Sequence, residues 1–421
     1  VKILVVGSGG REHALAWKLA QSAETIFCAP GNVGTEAVGE NVAIAANDFA
    51  KLAQFARQNR IDLIVIGPDD PLAAGVVDFF ETEKLRVFGP NKAAAQLEAS
   101  KVFAKELMRA QGIPTAAART FSSAKEALNF CDEIALPAVI KADGLALGKG
   151  VIVAEDRESA RRAVRSIMEE RAFGAAGQRV VIEEFLTGTE CSVHALVSGE
   201  SFRMLSTARD HKRAFDGDRG PNTGGMGAVS PADNWNPERE AEFSEKILRP
   251  LLAGLAEREV TFRGLLFPGL MITKAGLRVL EFNCRFGDPE TQAILPRLKS
   301  DLLPLLFAAA TGESTGAAPK FDARICVAVI LASGGYPGKY ETGKPITGLE
   351  RVAQMPDVQV FHAGTKRENG GIVSAGGRVL AVTALGDSIA QARERAYAAA
   401  GEIQFEGCHY RRDIALSSSS R

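Results

Sequence analysis

Apolar runs that stop at glycine turns organise the first hundred residues. Ile3–Val6 ends in Gly7-Ser8-Gly9-Gly10 and leads into a helical stretch, Arg11–Ala20; Ile61–Ile66 ends at Gly67-Pro68, and Arg86–Phe88 at Gly89-Pro90. Buried strands alternating with helices predict a parallel sheet, whose ligands gather beyond the carboxyl ends of its strands. The turns Gly7–Gly10, Gly67–Leu72 and Gly89–Asn91 are therefore expected along one edge. Residues 92–118 read as helix, then turn at Gly112-Ile113-Pro114. Further strands are predicted over Pro137–Lys141, Arg179–Ile182 and Leu265–Ile272, and the last hundred residues carry short strands between glycine turns. The pattern divides this α/β chain into a parallel-sheet unit over 1–99, a linking helix over 100–118, a small unit over 119–187, a larger one over 188–320 and a mixed α/β unit over 321–421.

Composition narrows the partners. With 421 residues and 46% hydrophobic content, the chain supplies several cores. Its 50 basic and 51 acidic residues leave a net charge of −1, so no global basic field draws in nucleic acid or an anionic membrane, and phosphate recognition must be local. Apolar runs break well short of the roughly 18 residues a membrane span needs, and no charged-then-apolar signal segment follows Lys2. The six cysteines include no CxxC pair, which suits reduced thiols in a cytosol; Cys284 reads as a small buried residue rather than a nucleophile, for want of a nearby histidine.

Three clusters carry the candidate chemistry. Asp210–Ser230 reads DHKRAFDGDRGPNTGGMGAVS: acid, imidazole, amine and guanidinium in succession, then Gly220, Gly224, Gly225 and Gly227. Glycines let backbone N–H groups turn toward an anion that the flanking cations neutralise. Lys141 ends a strand, and Gly144, Gly148 and Gly150 form with Lys149 a loop able to fold over phosphates; it is not a Walker loop, which requires Ser or Thr where Gly150 stands. Glu183-Glu184-Phe185-Leu186 is either an edge strand with solvated acids or a hinge offering backbone groups to an adenine, with Glu190 near for ribose hydroxyls. In Glu281–Gln292, Glu281 and Asn283 lie two apart on a strand and share a face. Such an oxygen pair suits Mg²⁺, with nucleotide phosphates completing its shell, and Arg285 is placed for a phosphoryl group or an oxyanion. The turn at Gly7 departs from a dinucleotide fingerprint because Glu12 fills the third glycine position; one phosphate at the helix N-terminus fits better. His13 and His211 read as hydrogen-bonding members of their loops.

With these residues in view, the chain resembles the glycinamide ribonucleotide synthetases (phosphoribosylamine–glycine ligases) of the ATP-grasp superfamily. VGSGGREHALAW at 6–17, PGNVGT at 30–35, KADGLALGKGV at 141–151, EEFLTGTE at 183–190, DHKR and GPNTGGMGA within 210–228, EFNCRFGDPETQ at 281–292 and VFHAGT at 360–365 carry the likeness. The resemblance implies a pre-ATP-grasp parallel-sheet domain, a two-part ATP-grasp core and a C-terminal domain, using ATP, glycine and 5-phosphoribosylamine with Mg²⁺ or Mn²⁺. It implies phosphate contacts at Lys105, Lys141, Gly148 and Lys149, and nucleotide contacts at Glu183, Glu184, Phe185, Leu186 and Glu190. The metal would lie on Glu281 and Asn283, and catalysis would use Arg285, Lys212 and Asp210. Substrates would meet Gly9, Gly10, Asn32, Asp69, Asp70, Pro221, Asn222, Thr223, Gly224, Gly225, Met226 and Asp288. Asp69 stands where the family more often has glutamate, Leu147 replaces a small residue, and the ending through Ala415 and the serine tail is unusual. A cytoplasmic monomer with small-molecule partners, and with neither nucleic acid nor membrane, is expected. Rival readings are a biotin-dependent carboxylase subunit, a nucleotide sensor without turnover, and a dehydrogenase.

Overall fold

The computed structural model describes residues 1–145, 150–313 and 318–416. The expectations at Ala146–Lys149, Leu147 and Gly148 among them, and those for the serine tail, lie outside these residues.

The amino-terminal sheet is parallel throughout, in the order Glu40–Asn41, Thr25–Pro30, Lys2–Gly7, Leu63–Ile66, Val87–Phe88. Its apolar runs are buried on both faces, as a sheet covered by helices requires. The helix expected over 92–118 is two, Lys92–Ala99 and Lys101–Ala110, because Ser100 leaves the helical region and its side chain caps the second at Phe103. A four-stranded antiparallel sheet follows, ordered Ala118–Phe121, Val180–Glu184, Ala138–Ala142, Val151–Ala154. The next sheet is built on the long hairpin Arg263–Thr273 and Gly276–Asn283, with Thr189–Ser192, Ala195–Ser198 and Ser201–Met204 completing it.

The last sheet is antiparallel and gathers strands from two stretches of sequence: Arg209–Asp210, Gly227–Ser230, Ile325–Ala332, Arg378–Gly386 and Val358–His362. The glycine-rich stretch thus leaves the 188–320 region to pair with Ile325–Ala332, and residues 211–226 connect two neighbouring strands of that sheet. Helix Ile389–Glu402, which the sequence reading passed over, packs its Ala392, Ala396, Ala399 and Ala400 face on this sheet. One core runs through the molecule: Ile3, Val5 and Leu15 from the first sheet and its helix, Leu302 and Leu306 from helix Leu302–Thr311, and Phe361 and Ala381 from the last sheet. Each of the larger side chains among these contributes roughly 1.5–3 kcal/mol by leaving water, which fixes the sheets around the space they share. Among the described residues no helix is long and apolar enough to cross a membrane.

Candidate active site

The sheets enclose a cavity of about 1130 Å³. On the side of the four-stranded sheet, adjacent antiparallel strands place Glu183 diagonally across from Lys141 on the same face. The buried Glu183 carboxylate pairs with Lys105 at 3.0 Å and Lys141 at 2.9 Å. Lys141 also donates to the carbonyl of Leu280, 3.1 Å away, tying this sheet to the strand that carries Glu281. Burial lowers the pKa of Lys105 and of Lys101, which lies beside them. The side chain expected near adenosine is therefore the anion that holds Lys105 and Lys141. Glu184, Phe185, Leu186 and Glu190 all line the cavity as expected.

The floor is the end of strand Gly276–Asn283. A bulge opposite Gly269 and Leu270 re-aims its last residues, and Glu281 and Asn283 both face the cavity. Asn283 donates its amide to the Phe267 carbonyl at 3.3 Å, while its oxygen accepts from Arg285 at 3.2 Å. Burial favours the neutral form of Glu281, but Lys212, Lys141, Lys101 and Arg285 outweigh it and hold its pKa at about 2. Lys212 lies 3.5 Å from Glu190 and 3.7 Å from Glu281. Among the described residues no group of three His, Cys, Asp or Glu side chains is arranged for a metal. An ionised carboxylate beside an amide oxygen fits a hard divalent cation that takes its remaining ligands from phosphates.

Arg285 is held by a residue that sequence reasoning missed. Glu98, from helix Lys92–Ala99, lies 3.0 Å from the guanidinium and accepts from the Cys284 amide at 2.7 Å with its other oxygen. Cys284 is buried and its thiol pKa is pushed well up by burial, so it is structural. Arg378 was also missed: it pairs with Asp288 at 3.2 Å and donates to the carbonyls of Gly224 at 2.6 Å and Asp288 at 2.8 Å. No local signal announced either residue, since each acquires its role from a partner 90 or more positions away.

Within the glycine loop, Asn222, Thr223 and Gly224 line the cavity, whereas Pro221, Gly225 and Met226 do not. Gly225 has φ +114°, and a Cβ there would come within 2.4 Å of Pro289. Met226 is a correction: its side chain is fully buried in the core of the last sheet, and its N–H and carbonyl are taken by His211 and Ile330. Residues 409–416 strap the hairpin formed by Arg213–Phe215 and Arg219–Asn222, which leads into this loop. Buried Arg411 pairs with Asp218 and Asp413 at 2.9 and 2.7 Å, and Asp413 accepts from Gly217 at 2.8 Å.

The amino-terminal turn brings a second correction. Glu12 accepts from the Gly9 amide and from Arg11, both at 2.6 Å, so its carboxylate occupies the helix start where a phosphate was expected. Asn32 spends its side chain on the carbonyls of Ser8 and His362 and the amides of Gly34 and Thr35. Gly10 faces Gln292, whose amide a Cβ would meet at 2.6 Å. Gly9, Gly10, Asn32 and Asp70 do not line the cavity; Asp69 does, and so does Arg11.

Four of the five histidines are proton-poor. Burial lowers the pKa of His13, His194 and His211 to about 3 and that of His362 to about 4. His13 accepts from the His362 amide at 2.8 Å and His211 from the Ala415 amide at 3.2 Å, which are loop-bracing roles. Unfolded, these imidazoles titrate near 6.5, so between that pH and about 4 the unfolded chain binds more protons than the folded one. Stability is then present above pH 6.5 and falls as pH falls; a melting temperature flat from pH 7 to pH 5 would contradict this.

Residues 1–98, 99–291 and 326–417 match, in order, the N domain, the ATP-grasp (A) domain and the C domain of phosphoribosylglycinamide synthetase. The chain belongs to the phosphoribosylglycinamide synthetase family. As a member of that family it is 50% identical, over 426 aligned positions, to the phosphoribosylamine–glycine ligase of Allochromatium vinosum, with 100% of this chain and 99% of that one covered. The crystal structure of phosphoribosylamine–glycine ligase from Thermotoga maritima superposes with a TM-score of 0.86 at 35% identity, covering 99% of this chain and 100% of that one. Biotin carboxylase from Campylobacter jejuni shares the fold, with a TM-score of 0.75 at 14% identity over 100% of this chain and 95% of that one. At that identity the likeness extends to architecture alone.

Proposed function

We propose that this synthetase-family chain joins glycine to 5-phosphoribosylamine with cleavage of ATP, giving glycinamide ribonucleotide, ADP and phosphate for purine biosynthesis in the cytoplasm. The observation that carries the reading is the meeting, in one cavity, of Lys101, Lys105 and Lys141 on the lid side, Arg285 at the centre, and Arg11 and Asp69 on the side of the parallel sheet. The lysines receive the nucleotide phosphates, and the 183–190 hinge receives the adenosine. Glu281 and Asn283 would hold Mg²⁺ or Mn²⁺, which when bound neutralises phosphate charge. Glycine's carboxylate oxygen attacks the γ-phosphorus, ADP leaves, and a glycyl phosphate forms beside Arg285. The ribosylamine nitrogen then attacks the acyl carbon, phosphate leaves with the C–O electron pair, and the amine gives up a proton.

The same reading divides the labour by region: 1–99 for the ribosylamine phosphate, 119–187 as lid over ATP, 188–320 for metal and glycine, and 321–421 to brace the glycine loop through Arg378 and Arg411. Product identification by mass spectrometry from ATP, glycine and freshly generated ribosylamine tests it. The glycinamide ribonucleotide mass is expected, with no bicarbonate-dependent ATP cleavage. Tight NADH binding is not expected either, because the Glu12 carboxylate stands where a pyrophosphate would have to sit. Bicarbonate-dependent turnover without glycine would move the chain to the carboxylases.

A further inference from the structure

Four acids stabilise the charge of Arg285, namely Glu98, Asp69, Glu290 and Glu281, yet among the described residues only Glu98 makes an ion pair with it. The Glu98 side chain is 9% exposed, and its two oxygens have separate partners: one lies 3.0 Å from the guanidinium, and the other accepts from the Cys284 amide at 2.7 Å. One turn earlier on helix Lys92–Ala99, the Ala94 carbonyl accepts from the Cys284 thiol at 3.8 Å. Positions four apart share a helix face. One face of this helix therefore grips residue 284 by backbone and side chain, and residue 285 by its far end. The remaining contacts of the guanidinium come from its own strand and the strand paired with it: the Asn283 oxygen at 3.2 Å, the Phe286 carbonyl at 3.3 Å and the Phe267 ring at 5.9 Å. Its buried Nε–H has no acceptor. A long side chain with a spare donor is drawn toward the other acids of the cavity unless a stronger, charge-assisted contact restrains it.

We infer that Glu98 is a positioning residue for the reaction: it fixes the Arg285 guanidinium against the pull of the other acids and holds it where the acyl phosphate forms. The inference rests on the ligase reading above. It assigns Glu98 no contact with the reacting atoms; its effect passes through Arg285 alone.

The test is steady-state kinetics of Glu98→Asp and Glu98→Gln, each alone and combined with Arg285→Gln, beside thermal melts. Aspartate keeps the counter-charge but is one methylene too short to bridge both partners. Its kcat is expected to fall about 10- to 100-fold, the loss that a displacement of about 1 Å brings, with KM for ATP within about twofold. Glutamine keeps the length without the charge, and a fall of the same order is expected. On the Arg285→Gln background either change is expected to alter kcat by less than about twofold, because nothing is left to position. Additive losses, an unchanged kcat in Glu98→Asp, or a KM for ATP that rises as far as kcat falls overturns the assignment. Glu98→Asp alone decides the matter if the glutamine or combined variants do not fold, and failure of both single variants to fold would make Glu98 structural. An unmodified enzyme that makes no glycinamide ribonucleotide at all would instead overturn the ligase reading.

Discussion

Glu281→Ala is expected to lower the ligation rate by roughly a thousand-fold in a chain that still folds, with a lowered melting temperature because four cations lose their shared counter-charge. The carboxylate lies two residues before the end of its strand and keeps about a third of its side chain exposed (35%). Its surroundings explain why the loss falls on chemistry. Four cations face it, and without it Lys212, Lys141, Lys101 and Arg285 confront one another across the space the phosphates should enter. Asn283 would remain as a lone neutral oxygen. Rates measured across a metal titration, together with a thermal melt, make the check. Near-normal turnover at saturating Mg²⁺ would remove Glu281 from the site, and a collapsed melt would make it structural.

Glu183→Ala should be the most destabilising single change at the site. It strips the shared counter-ion from two lysines that are 11% and 7% exposed. Breaking a buried pair by removing one partner costs about 3–5 kcal/mol, because the remaining charge stays buried. Two are left here, so the sheet that carries Lys141 should open locally: faster hydrogen exchange is expected over 119–145 and 150–187. ATP then becomes the only polyanion able to meet both ammonium groups. Added nucleotide should therefore raise the melting temperature of the variant by more than it raises that of the unmodified chain. Equal melts without nucleotide would show that the ion pairs do not hold the lid.

Sequence pattern made much of the scaffold legible, for a physical reason. Strands buried on both faces must be apolar along their length, so Lys2–Gly7 and Leu63–Ile66 announced themselves, and the glycine turns marked where they stop. Helix Ile389–Glu402 was less visible because its buried face is made of alanines interleaved with arginine and glutamate, a weak apolar stripe. At the site, residues that sit together in sequence were found together in space: Glu281, Asn283 and Arg285 line the cavity as their spacing suggested. Glu98 and Arg378 were out of reach. Their significance lies in distant partners, which local spacing does not show. Asn32 and Met226 fell the other way, because a motif preserves residues that brace a loop as readily as those that touch a ligand.

The packing around Glu12 bears on how this turn can vary. A Cβ added at Gly7, Gly9 or Gly67 would come within 2.5, 2.8 and 2.0 Å of that one side chain. These positions are therefore not independent letters. Alanine at Gly67 is admissible only on a background where residue 12 has already shrunk, and shrinking it first leaves the Gly9 amide and Arg11 without their acceptor. Each order of substitution passes through a damaged intermediate. Gly9, Gly67 and residue 12 should show strong epistasis in a combinatorial library, whereas Gly7, with φ +130°, should stay glycine on every background.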